Sequence, residues 1–179
     1  MTQPWHPVPG GVTAPEGFQA AAVTAGLKAS GKPDLSLLLA PEGAVCAGTF
    51  TTSLVRAACV DLCAERLAAS GCRARAVLTN SGQANACTGE RGLADSLIAT
   101  AAVAERLGLA SEAVLICSTG VIGVPIAMDT LVAGLDPLVA ALSPDGGAAA
   151  ATAILTTDLV EKQIALEADL GGRTVRIGG

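Results

Sequence analysis

The sequence predicts a mixed fold, α+β or layered α/β, and three observations carry that expectation. Short apolar runs bounded by Gly, Pro and Asp come first along the chain, as in an antiparallel meander. Two stretches with helical spacing then alternate with two buried-strand runs. A last pair of alternating runs flanks Gly171-Gly172, which is a hairpin signal. This order suits layers packed around one core.

Taken in order, Met1 to Pro15 is rich in Pro and Gly and reads as an extended arm crossing the surface. Phe18 to Leu27, Leu35 to Leu39 and Val45 to Phe50 are the meander strands, punctuated by "KPD" and "PEG". Ala58 to Ser70 is a helix with Leu62, Arg66 and Ala69 on one face and Cys59, Cys63 and Leu67 beside them; Gly71 stops it. Ala74 to Thr79 is a buried strand. Arg91 to Leu107 is a helix whose apolar stripe is Leu93, Leu97, Ala101, Ala104 and Leu107, ended by Gly108. Ala113 to Cys117 is a second buried strand, and two helical pieces lie between Ala127 and Leu142. Ser143-Pro144-Asp145 offers an N-cap with proline at the first helical position, opening an Ala-rich helix to Leu155. Gln163 to Leu170 and Arg173 to Ile177 form the hairpin. The 179 residues are enough for one domain. The stop at Gly178-Gly179, directly after a strand, is the expectation for a piece or processed half of a longer protein.

Composition excludes several roles. Apolar residues make up 51% and mean hydropathy is +0.55. Even so, Asp95, Glu105 and Arg106 interrupt the apolar run from Leu93 to Leu115, and a membrane span needs roughly 20 unbroken apolar residues. No membrane association is expected. Net charge is -5 and the aromatic residues are Trp5, Phe18 and Phe50 alone, so neither a basic patch nor a base-stacking surface is available to nucleic acid. The N-terminus shows no basic region followed by an apolar core. The six cysteines contain no CxxC pair. Cys59 and Cys63 share a helix face, but two thiolates fall short of a structural zinc set. The cysteines are therefore expected to be small buried hydrophobes in a reducing cytosol, with no metal and a cytoplasmic location.

Three places could carry chemistry. The segment Thr79 to Gly89 joins a strand to a helix and is dense in hydroxyl, amide and glycine. It is either a ligand loop or a structural turn with Thr88 as helix N-cap. Cys117 to Gly123 also follows a strand, and its glycines can present backbone N–H groups to an anion or an oxyanion; an ordinary connection is the alternative. The segment matches neither GxxxxGK[ST] nor GxGxxG, so nucleotide binding is not expected. Asp158, after Thr156-Thr157 at a helix end, is a general base or simply the residue that stops the helix. His6, the one histidine, lies in the arm and reads as solvated. No GxSxG elbow or HExxH is present. Chemistry without histidine is open to a threonine freed by chain cleavage, whose own amine is the base.

Six motifs occur in one order: "GVTAPEGF" (Gly11 to Phe18), "AGTFTT" (Ala47 to Thr52), "TNSGQANACTG" (Thr79 to Gly89), "CSTGVIG" (Cys117 to Gly123), "SPDGG" (Ser143 to Gly147) and "AILTTD" (Ala153 to Asp158). Together they resemble the N-terminal part of the glutamate N-acetyltransferases (ornithine acetyltransferases) of arginine biosynthesis, across Gly11 to Gly179. The resemblance implies a layered αββα sandwich like that of N-terminal-nucleophile hydrolases. It implies a precursor that cuts itself before a threonine into two chains that stay together, in a heterotetramer. That threonine would take acetyl from N-acetylornithine and pass it to glutamate, in ping-pong fashion. No cofactor is implied, and acetyl-CoA is a second donor in some members. The family's oxyanion hole falls on Thr119 and Gly120. Its substrate-contacting threonine falls on Thr157, with Thr156 the neighbouring alternative. The Asn80 to Asn85 loop carries no role across and is expected to line or support the site. The family's lysine and Ala-Thr-Met-Leu cleavage motif lie beyond Gly179, so residues 1–179 would supply the oxyanion hole but not the nucleophile. Ser53 departs from the asparagine many relatives carry after "FTT". A self-processing aminopeptidase or amidohydrolase half and a non-catalytic interaction module are the competing readings.

Overall fold

A computed structural model describes residues 5–179; Met1 to Pro4, the start of the predicted arm, lie outside the described residues. The centre is a four-stranded sheet in the order β2-β3-β4-β5, from Gln19–Val23 (β2), Leu35–Leu39 (β3), Ala76–Gln83 (β4) and Val114–Val121 (β5). The first three strands run antiparallel, as the meander pattern requires. β4 and β5 are parallel because a helix, Gly89–Leu107 (α2), crosses between them. A three-stranded sheet joins His6–Pro7 (β1) to the predicted hairpin of Ala165–Asp169 (β6) and Thr174–Gly178 (β7). The class is the α+β one expected.

Alternation along the strands divides the central sheet into two faces. Leu35, Leu37, Ala76, Leu78, Val114 and Ile116 share one face and pack into the core with the helix Ala58–Ala69 (α1), with α2, and with Met128–Ala133 (α3) and Leu135–Ala140 (α4). The other face holds Ser36, Leu38, Val77 and Thr79 and is crossed by Gly147–Ile154 (α5), which lies against β2, β3 and β4. Beyond α5 this face is open, and Cys117 is exposed there.

Four expectations need correction. The run Val45 to Phe50 forms no strand. Both edges of β3 are already taken, by β2 and β4, and the run lies mostly exposed, with Cys46 N–H donating to Cys72 O at 2.8 Å. On α2, Leu93 and Leu97 face outward, whereas the buried face is Gly92, Asp95, Ser96, Ala99, Thr100, Val103 and Ala104. Small residues hold that face, and at its start Gly92 has no room for a side chain: a Cβ there would stand 2.1 Å from Thr88 Oγ1 and 2.6 Å from Asn85 Oδ1. Their hydroxyls return to the helix's own carbonyls, Thr100 Oγ1 to Ser96 O at 2.9 Å. Ser143 is not an N-cap. It exchanges backbone hydrogen bonds with Ala20 at the sheet edge, and the helix starts later, after Gly146. Finally, Cys59 and Cys63 are buried but Cys72, Cys87 and Cys117 are exposed. Among the described residues no group of three or more His, Cys, Asp or Glu could hold a metal, and no helix is long and apolar enough to cross a membrane.

Leu78 is fully buried at the middle of the core face. Truncation by Leu78→Ala is expected to cost about 2–5 kcal/mol, read as a lower midpoint in urea unfolding with the slope unchanged.

Candidate active site

The site grows from the parallel pair. The ladder runs without interruption from Ala76 opposite Val114 to Gln83 opposite Val121. Thr79 to Gln83 of the Asn-rich motif and Cys117 to Val121 of the second therefore lie within strands, while Ala84 to Thr88 form the connection to α2; Ser81 faces Thr119 and Gly82 faces Gly120. Both glycines have positive φ, 127° and 131°, a region L-residues rarely adopt. A Cβ on Gly120 would stand 2.4 Å from the Gly82 carbonyl carbon, and one on Gly82 would stand 2.7 Å from Leu27 O. Only glycine permits this stacking of three backbones. The positive φ also turns the Thr119–Gly120 peptide away from the orientation of a regular strand.

Buried amides hold the strand ends in this shape. Asn80 is fully buried. Its Nδ2 donates to Gln83 O at 3.1 Å, and its Oδ1 accepts from Ser118 Oγ at 2.6 Å, tying β4 to β5. Asn85, also fully buried, donates through Nδ2 to Gly92 O and Ser96 Oγ, both at 2.9 Å, and accepts from Thr88 Oγ1 at 2.8 Å. That binds the start of α2 to the site, and Thr88 does so through Asn85, making no side-chain cap bond of its own. Gln83 Nε2 donates to Leu27 O at 2.9 Å.

Between these strand ends and the end of α5 lies an open cavity of about 690 Å³. Gly82, Gln83, Thr119 and Gly120 line it on the strand side, Thr156 and Thr157 on the helix side, and the Leu27–Ser30 loop completes it. The three residues singled out from sequence, Thr119, Gly120 and Thr157, thus meet in one cavity. Asp158 is not among its lining residues. It pairs with Lys162 at the surface, and that bond holds its carboxyl below the usual carboxylate range. His6 is exposed beside Glu167, 3.4 Å away. A second cavity of about 720 Å³ lies against the Pro7–Gly11 arm, and Asp145 is its only titratable lining residue.

Sequence reasoning missed the loop before β3. Asp34, read only as part of a turn, is fully buried. Its carboxylate accepts backbone N–H bonds from Ala25 (2.7 Å), Gly26 (3.0 Å), Leu27 (2.6 Å) and Lys28 (3.0 Å). This concave ring of N–H groups around an anion shapes the loop that borders the cavity. Desolvation holds the Lys28 ammonium below the usual lysine range, with Asp34 acting in the opposite sense.

Residues 19–179 match the model of the ArgJ family. The chain belongs to that family. It is 75% identical, over its full length, to the arginine biosynthesis bifunctional protein ArgJ of Parasynechococcus marenigrum, and covers 44% of that protein. It is 78% identical over 98% of its length to the ArgJ of Prochlorococcus marinus strain MIT 9313, covering 41%. The chain therefore spans less than half the length of these relatives. Among solved structures, ArgJ from Bacillus halodurans aligns with all of this chain and 93% of its own, at TM-score 0.92 and 35% identity. The ornithine acetyltransferase of Mycobacterium tuberculosis, solved with ornithine, aligns with 91% of this chain and 88% of its own, at TM-score 0.86 and 43% identity.

Gly120→Ala is expected to destabilise the ArgJ-family protein by at least the about 1–3 kcal/mol of a strained backbone position, seen as a lowered Tm. Ala at exposed Gly43, which has open space around it, carries the φ cost without the clash and should cost less.

Proposed function

We propose that this chain is the N-terminal, α-chain portion of an acetyltransferase that moves an acetyl group from N-acetylornithine to glutamate. The observation that carries the reading is the convergence of Thr119, Gly120 and Thr157 on one cavity, in a chain of the ArgJ family. In this reading the Thr119 hydroxyl and the Gly120 N–H donate to the acetyl oxygen as negative charge develops on it. Thr157 contacts the substrate from the opposite wall.

The nucleophile is a threonine at the head of a second chain from the same precursor. Its hydroxyl attacks the acetyl carbon while its own amine takes the proton. The C–N bond of N-acetylornithine breaks, ornithine leaves with the proton on its amine, and an acetyl ester remains on the threonine. Glutamate's amine then attacks that ester, the new amide forms and the hydroxyl is restored. Acetyl-CoA would enter the same first step with a thiolate as leaving group. No cofactor takes part.

Two features support a second chain. The Bacillus halodurans chain is covered to 93%, whereas the full-length Parasynechococcus relative is covered to 44%, as expected if the solved chain is also one half of a divided protein. The sheet face around Cys117 and Thr119 is also open to another layer. Six unpaired cysteines suit a cytoplasmic setting.

Co-expression with the remaining C-terminal half is expected to give transfer of acetyl from N-acetylornithine to glutamate. Free acetate or cleaved peptide, with no acetylglutamate, would instead favour a hydrolase. In the assembled enzyme Thr119→Ala should lower kcat by about 10²- to 10³-fold, the loss of one oxyanion donor; unchanged steady-state turnover would remove this turn from the site.

A further inference from the structure

A lysine lining a cavity for amino-acid substrates would ordinarily be assigned to a substrate carboxylate. Lys28 lines this one, yet its three ammonium protons are already engaged. Nζ donates to Pro33 O at 2.8 Å, Ala153 O at 3.0 Å and Leu155 O at 2.5 Å. An ammonium carries three donors and no acceptor, so none is left for a ligand.

Two of those carbonyls end α5, directly ahead of Thr156-Thr157. Terminal helix carbonyls lack intrahelical partners and favour a cation. Ser81 Oγ adds a second tether, donating to Ala153 O at 2.5 Å. Lys28 itself is anchored, because its backbone N–H is bound to the buried Asp34 carboxylate. The preceding residue serves the opposite wall: Leu27 O accepts from Gln83 and backs onto Gly82, which in turn backs onto Gly120. One dipeptide thus touches both sides of the cavity, Leu27 through its main chain and Lys28 through its ammonium.

We propose that Lys28 is a positioning residue for acetyl transfer, fixing Thr156-Thr157 at a set distance from Thr119-Gly120 and making no contact with substrate. This rests on the site reading above. Misplacement of a substrate-contacting group by about 1 Å costs on the order of 10²-fold in rate.

The test is a double-mutant cycle in the full-length, processed two-chain enzyme, with kcat and KM measured for N-acetylornithine and glutamate. Lys28→Met is expected to lower kcat by about 10²-fold with KM for both substrates unchanged. In a Thr157→Ala background the same substitution should cost far less, since the residue it places is already gone. Losses that multiply independently, a raised KM at unchanged kcat (the mark of carboxylate binding), or normal turnover would each overturn the proposal. If Lys28→Met is insoluble, Lys28→Gln, which keeps a donor on a long side chain, enters the same cycle under the same criteria. A wild-type enzyme without transfer, or a fully active Thr157→Ala single mutant, would overturn the site reading and this proposal together. Independent losses in an active enzyme with a damaged Thr157→Ala would overturn the role of Lys28 alone.

Discussion

The close approach of Gly82 to Gly120 is the constraint on which the site depends. Two parallel strands ordinarily hold their backbones about 4.8 Å apart, and side chains leave the sheet on either face. Here the Gly120 Cα comes so near the Gly82 carbonyl that a Cβ would sit 2.4 Å from its carbon. That contact sets where β5 ends and how its last peptides are turned. It also fixes the strand wall of the cavity, because Gly82 is itself seated on Leu27 O. The order of contact, loop to β4 to β5, makes the shape of the Leu27–Ser30 loop a condition for the shape of the strand ends.

That loop has little apolar material with which to hold itself. It is held by the Asp34 carboxylate, which takes four backbone N–H groups. A buried carboxylate is costly unless its oxygens are occupied, and hydrogen bonds to an ionised acceptor contribute about 1.5–3 kcal/mol each. Asn80 and Asn85 follow the same logic. Each is fully buried and each uses both its amide nitrogen and its amide oxygen: Asn80 adds a side-chain bond to its ladder partner Ser118 on β5, and Asn85 joins the end of β4 to the head of α2. The site's frame is polar and buried because its parts lie at the ends of elements, where backbone groups lose their regular partners.

The two faces of the central sheet differ in what covers them. The face covered by α1 to α4 is mainly aliphatic, built from Leu35, Leu37, Leu78, Val114 and Ile116. On the other face α5 covers β2, β3 and part of β4, and then stops. The cavity begins where that cover ends. A short helix of alanine and glycine can lie flat on the strands, and Gly146 and Gly147 permit this: a Cβ on either would meet the backbone of Ala20 or Gly10 at 1.8 Å or 2.5 Å.

Much of this was legible in the residues. The strands Leu35–Leu39, β4 and β5, the helix Ala58–Ala69, the stop at Gly108 and the final hairpin follow from period, glycine position and turn chemistry, all of which act over a few residues. Thr119, Gly120 and Thr157 could be singled out from motifs, while their meeting in one cavity depends on a helix and a strand end separated by more than thirty residues. The errors share one cause. Val45 to Phe50 has strand composition but ties Cys46 N–H to Cys72 O instead of joining a ladder; Leu93 and Leu97 have helical spacing but the inner face belongs to Gly92, Asp95, Ser96, Ala99, Thr100, Val103 and Ala104; Ser143 has N-cap chemistry but is claimed by Ala20. In each case a local preference worth a fraction of a kcal/mol to about 1 kcal/mol met a long-range contact worth more. The sequence by itself determined the elements and the candidate residues, because those arise from neighbours along the chain. Tertiary structure alone decided which face is buried, where the strands truly end and that Asp34 and Lys28 hold the cavity's two walls, because those depend on which distant backbone atoms are left without a partner.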